Sequence, residues 1–596
     1  MTIRLIVRLS TVLIALLLVF LGGVSAYGLY RLTMTPINRL PTELRLPSVQ
    51  AVTGATGPYV APTTTLEKGE GTPSLIPGRW PCFRGERFDA INHESIPLIR
   101  KFSDPVNPET ALETTRKTTR EPDVPAVGDP GIAVPGIAAS DTDAHGTDAP
   151  DISPEVRRRI RWGVDMGEGF AGPAVYDGCV YVLDYDMERR RDALRCLSFD
   201  DGREIWRYSY PVVVKKNHGM SRSIPAVSGR FCVSIGPMLH TACVDRITGE
   251  EIWFLDVKHR FGVTEPEWYS GQCPLVVRNP ELNNGRETLI LAVGSPATEP
   301  SVSDAVSDVA ADAASDAVSD PVGEGDGADV PERNVLLLAL DCETGRELWR
   351  TPNPFGWTMT HASIMPMTLD GRETYVYCGK GGVLGVDGRD GRILWSSPDW
   401  MIQIATCPSP VVLPENRVFF CGGYESGSVM MRIDKRQTEP GKSAEPGNAA
   451  ATAYSATAYS ATAYSATPYA ATTLFRLKSP VFGSEQQTPI FHAGHLFGIR
   501  QRDKSLVCLT LDGKITWDTS RGKRRFGLGP YLLADGILFI LDDEGVLTLC
   551  EATPREFRPL DEQTVLSHNG WAPMALVHGF LLLRDENRMI CLDVRK

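Results

Sequence analysis

Short apolar runs, each closed by a polar turn, recur along most of the chain. Leu336 to Leu340 is unbroken apolar sequence that ends at Asp341; Thr344 and Gly345 form a turn, and a second short run carries Trp349. Asp245 to Trp253 (Asp-Arg-Ile-Thr-Gly-Glu-Glu-Ile-Trp) and Asp387 to Trp395 repeat the sentence. Asp201-Gly202 leads to Trp206 and Asp512-Gly513 to Trp517, and in all five copies the Trp stands four residues after the Gly. Runs of this length between Gly and Asp predict strands. Gly supplies the positive φ that a hairpin turn demands, and Asp or Thr bonds back to the turn backbone. The strand that follows points its Trp to a fixed face, because strand side chains alternate. Self-similarity near 45 residues, four strands to a unit, predicts a β-propeller.

These Gly-x-x-x-Trp units resemble the Trp-docking repeats of pyrroloquinoline-quinone (PQQ)-like β-propellers, a family that includes quinoprotein alcohol dehydrogenases and the BamB type of outer-membrane assembly lipoprotein. The resemblance covers roughly residues 156–596. Trp162 to Trp206 is 44 residues, Trp206 to Trp253 is 47 and Trp349 to Trp395 is 46. The 96 residues from Trp253 to Trp349 hold one blade interrupted by an Asp-, Ala- and Ser-rich insert, 297–331. From Trp395 to Trp517 is 122 residues; without the 38 of a second insert, 436–473, with its repeated Ala-Thr-Ala-Tyr-Ser, two blades of 42 remain. Phe475 aligns with Trp206 and Phe557 with Trp349, so both take docking positions. The last unit, Ala572 to Val594, has room for three strands, and the strand carrying Trp162 is expected to complete it. With positions 162, 206, 253, 349, 395, 475, 517 and 557, the expected fold is an all-β, eight-bladed propeller of four-stranded blades closed by N- and C-terminal strands.

The N-terminus changes the picture. Arg4 and Arg8 precede Leu9 to Tyr30, 22 residues without a charge, and Arg31 closes the span. About 20 apolar residues cross a bilayer, so residues 1–31 read as a transmembrane signal-anchor; a cleaved signal peptide ending near Val24-Ser25-Ala26 is the competing reading. Basic residues before the span put the N-terminus in the cytoplasm and the propeller on the extracytoplasmic, periplasmic side. No Cys lies near the cleavage site, which argues against lipoprotein processing. Residues 32–78 read as a flexible tether and 103–155 as a disordered linker. Between them, 79–102 opens with Trp80-Pro81-Cys82-Phe83-Arg84-Gly85, similar to a lead-in found before PQQ-like propellers in planctomycete-type proteins. Trp80 and Phe83 are expected to plug against the side or base of the ring, and Arg84 is expected to have no catalytic part.

Net charge is −12, with 73 acidic against 61 basic residues, so nucleic acid is not an expected partner. No two of the 13 Cys are adjacent and no Cys-x-x-Cys occurs, against structural zinc and a thioredoxin-like centre. Cys179, Cys232, Cys378, Cys421, Cys508 and Cys591 lie in apolar runs and read as small buried residues.

Candidate chemistry is sparse. The resemblance implies that an active dehydrogenase would hold PQQ over a disulfide of adjacent Cys residues, with a Trp below and calcium on Glu and Asn. This chain lacks the Cys pair and the haem motif Cys-x-x-Cys-His. Gly441-Lys442-Ser443 mimics the end of a P-loop without its first Gly. His492 and His495 read as turn residues. Lys215 to Arg222 and Arg521 to Arg525 are basic loops that together could form a patch for an anionic ligand. No catalytic, cofactor or metal residue is assigned. The expected function is a non-catalytic, membrane-anchored, BamB-like binding or assembly scaffold, monomeric, its partner an envelope protein or a small anionic ligand on one ring face. The alternative is a quinoprotein oxidoreductase using PQQ with calcium; a third reading, resting on the basic loops alone, is a carbohydrate- or sulfate-ester-related binder.

Overall fold

The structure is a computed structural model and describes residues 61–106, 152–215, 220–297, 331–402, 404–436, 467–522, 524–567 and 569–596. The expected membrane segment 1–31, most of both inserts, and Gly441-Lys442-Ser443 lie outside the described residues. No helix among the described residues is long and apolar enough to cross a membrane.

Eight four-stranded antiparallel units follow one another around a ring. Blade 1 is Ala174–Tyr176, Cys179–Asp186, Arg191–Ser198 and Glu204–Pro211. Blades 2 to 4 begin at Ala226, Leu275 and Met365. Blades 5 to 7 begin at Val411, Ile490 and Tyr531. Blade 8 is Ala575–Val577, Phe580–Arg584 and Arg588–Asp593, completed by Ile160–Asp165, in which Trp162 pairs with Cys591. The first strands of most successive blades touch one another and surround the axis. Strand alternation therefore puts the loops entering the first strands, and the turns between strands 2 and 3, on one face. The other two kinds of turn lie on the opposite face.

The docking geometry explains the sequence repeat. Trp253 donates its indole N–H to the Cys342 carbonyl at 2.8 Å, in the strand 3–4 turn of the next blade. Gly345 in that turn has φ +68°, and a Cβ there would stand 2.9 Å from the Trp253 ring. Trp162, Trp206, Trp349 and Phe475 sit in the same way on Gly202, Gly249, Gly391 and Gly513. The residue across the strand from the ring is small or flexible: Cys591, Cys196, Cys243, Ala339, Gly385, Met430 and Cys508. Four cysteines are thus space-fillers beneath docking rings, and twelve of the 13 are buried, all with free thiols.

The first insert leaves blade 3 between Thr288–Ser295 and Val335–Asp341, whose ends pair through Ser295 and Val335. The second lies between Gly427–Lys435 and Tyr469–Leu477 of blade 5. Tyr469 to Thr473, expected inside the insert, belong to the strand, because Lys435 to Met431 offer them a continuous edge.

Residues 61–106 form a strap across the face that bears the 1–2 and 3–4 turns. Thr65–Lys68, within the stretch expected to be tether, pairs with the outermost strand of blade 1. Arg79–Trp80 then pairs with the first strand of that blade, at the axis. Arg84 donates to the carbonyls of Phe88, Asp89, Thr488 and Pro489 and so ties the strap to blade 6. Ile91–Asn92 runs parallel to the first strand of blade 7, and Phe102 ends buried, its N–H on Asp561. The lead-in plugs the axis itself and not the ring's side, because unpaired first-strand edges are available only there. Pro154–Arg157, at the end of the stretch read as linker, forms a helical turn capped by Ser153.

Candidate functional site

On the opposite face, the loops entering the first strands converge on a cup of about 250 Å³. Every blade contributes: Phe170 from blade 1, Arg222 from 2, Trp268 and Cys273 from 3, His361 from 4, Cys407 from 5, Gln487 from 6, Leu528 from 7 and Trp571 from 8. Phe83 of the strap lines it as well, reaching it through the axis. A groove of about 650 Å³ runs beside it between the loops of blades 3, 4 and 5, and His361 borders both.

Aromatic rings dominate the walls. Trp268 and Tyr424 stack, with centroids 6.1 Å apart and planes 16° from parallel. Phe170 and Trp571 meet at 4.9 Å, and Trp571 is fixed by its N–H on Asp543 Oδ1 at 2.7 Å. Trp268, Tyr269 and Tyr424 have φ of 62°, 71° and 51°. Each L-residue in this left-handed region costs roughly 1–2 kcal/mol, and such strain clusters at functional loops.

The polar groups are tuned by burial. His361 is pushed down to about 4, by burial first and then by Arg222, so its imidazole is neutral near pH 7. Burial lowers Arg222 to about 10, still cationic. The Cys407 thiol is raised to about 11 by burial and so stays protonated, away from the reactive thiolate. Glu485 pairs with Lys504 at 2.8 Å. Burial, then Glu485, Cys407 and Glu267, raise Tyr424 to about 12.

The donor set does not fit PQQ with calcium. Cys273 and Cys407 come from blades 3 and 5 as free thiols, and Glu485, paired with Lys504, is the one carboxylate among the lining residues. No group of three or more metal-binding side chains occurs among the described residues.

Of the residues singled out in the sequence, Arg222 and Phe83 reach the cup. Lys215 shares hydrogen bonds with the Tyr269 hydroxyl, while 216–219 lie outside the described residues. Arg524 is engaged by Asp542 at 2.8 Å and Glu562 at 3.1 Å, and Arg521, Arg524 and Arg525 are not among the residues that line the cup. His492 and His495 flank a hairpin turn through Ala493 and Gly494, both at positive φ. Sequence reasoning missed Trp268, Trp571, Tyr424 and His361. A signal existed: Trp268 and Trp571 fall outside the 45-residue docking register.

The blades, the ring-on-turn contacts and the strand closure define an eight-bladed β-propeller. Residues 243–440 match the family described as outer membrane protein assembly factor BamB. No curated protein matches the sequence. Among solved structures, BamB from Moraxella catarrhalis is similar at 11% identity, covering 72% of this chain and 98% of that one, with a TM-score of 0.42. The computationally designed Ika8 protein gives 9%, 73%, 99% and 0.41. Quinohemoprotein alcohol dehydrogenase from Comamonas testosteroni gives 14%, 73%, 76% and 0.34.

Proposed function

We propose that the protein is a non-catalytic binding scaffold that presents the cup-bearing face of its ring to a component of the cell envelope. One observation carries this reading: the strap fills the axis from the opposite side, leaving a blind cup whose walls come from all eight blades. A rigid ring holding irregular loops around a concavity is suited to recognition. The match of 243–440 to an assembly-factor family supports a BamB-like role. Residues 1–31 would anchor the chain in the membrane, with the propeller on the periplasmic side. The partner is an envelope protein, with a small anionic ligand at Arg222 as the lesser version.

The competing function is a quinoprotein oxidoreductase with a divergent site. Calorimetric titration of PQQ into the full chain, with and without calcium, separates the two. The scaffold reading expects no saturable heat and no change in Tm, together with a discrete crosslinked partner in intact envelopes. Calcium-dependent one-to-one binding would overturn it.

A further inference from the structure

We propose that the cup and its groove bind the end of a neutral oligosaccharide, one hexose ring in the cup and the following units along the groove. The inference rests on the scaffold reading and puts a neutral sugar, in place of a small anionic ligand, in its cup.

Charge comes first. The charged side chains lining the cup are Arg222 and Glu485, one of each sign. The groove carries Glu265 and Glu267 against Arg333 and Lys380. Neither cavity has a net formal charge, so a strongly anionic or cationic ligand would meet a like charge wherever it met an opposite one. A neutral ligand with many hydroxyls uses both signs at once, since guanidinium donates and carboxylate accepts.

Shape and surface agree. Sugar rings present apolar C–H faces and polar edges. The cup offers matching walls, aromatic faces on Trp268, Tyr424 and Trp571, and planar polar edges on Arg222, His361 and Glu485. Its volume of about 250 Å³ is below the ~300–1,000 Å³ of drug-sized ligand pockets, and suits one six-membered sugar ring. The groove of about 650 Å³ continues past His361 and supplies hydroxyls from Thr264, Thr358 and Thr406. Trp268 and Tyr424 are held by backbone in the left-handed region, so their stacking platform is set before a ligand arrives.

The test is titration of the full chain with maltotetraose, cellotetraose, mannotetraose and chitotetraose, followed by calorimetry and tryptophan fluorescence. Saturable binding of at least one, with a fluorescence shift from Trp268 or Trp571, is expected. Tyr424→Ala and Trp268→Ala should each weaken it about tenfold or more; Trp268→Phe should retain most of it, and His492→Ala, on the opposite face, all of it. Circular dichroism confirms that each variant is folded. No binding across the panel, binding indifferent to Trp268 and Tyr424, or binding confined to sulfated sugars, PQQ or a protein partner overturns the assignment. Chromatography of the bound sugar separates the two readings: cleavage products would sink the non-catalytic scaffold and leave the site standing. Absent binding would sink the site and leave the scaffold to the crosslinking experiment.

Discussion

Trp395 is a docking tryptophan whose turn has been replaced. The second insert occupies the strand 3–4 connection of blade 5, and the Trp395 N–H, wholly buried, finds no acceptor among the described residues. A lost or unmade hydrogen bond of this kind is worth about 1–3 kcal/mol. Both Trp→Phe changes lose ring volume, but only Trp253 loses a made hydrogen bond, so Trp253→Phe should cost about 1–2 kcal/mol more in urea unfolding than Trp395→Phe. Equal costs would mean that the insert supplies the missing acceptor. Asp192 gives a pH prediction. Burial raises it to about 6, although the hydroxyls of Tyr210 and Ser221 donate to it at 2.6 and 2.9 Å. The folded chain then keeps this proton after the unfolded chain has lost it, so the group's contribution to stability falls as pH rises from about 4 to about 6 and is flat above. Against wild type, Asp192→Asn should gain up to about 3 kcal/mol between pH 4 and pH 7, read from urea midpoints at each pH. The Trp-on-Gly contacts were legible because turn and ring lie four residues apart in sequence. The cup was not, since Arg222, His361 and Trp571 are gathered from loops that share no local pattern.

Among the elements, the strap is the one whose course could not be read. Trp80 meets Val175 and Arg84 meets Thr488, partners far along the chain with no motif to announce them. Its contacts are dense enough to test. Arg84 satisfies four carbonyls from a buried position, so Arg84→Ala should cost about 3 kcal/mol and lower Tm, with Lys recovering only part. The inserts behave in the opposite way. Their flanks are already joined, by the pairing of Ser295 with Val335 and by the Arg436 N–H on the Pro468 carbonyl at 3.0 Å. Loop closure costs little per residue of length. Replacing 298–330 and 437–466 with short Gly-Ser links should leave the calorimetric Tm within a few degrees, and a large drop would show that the inserts pack on the ring.

For the whole molecule, the ring and its closure were legible: the short final unit and the early Trp162 already required each other. Closure removes two sheet edges that would otherwise pair with other chains. Removing Arg588 to Lys596 strands Ile160–Asp165 without a partner, and the truncated chain should aggregate in size-exclusion chromatography in place of a sharp monomer peak. The strap crosses this same junction, from the outer strand of blade 1 to the outer strand of blade 7.

Closure by the first strand also sets a clock. Ile160–Asp165 leaves the ribosome more than 400 residues before Arg588–Asp593, the edge it must pair with. At about 5–20 residues per second that is a wait of roughly 20 to 80 s. Throughout it, Trp162 and the strap's apolar residues have only part of their native surroundings. Until its last blade is made, the nascent chain keeps an unpaired strand edge open to other chains.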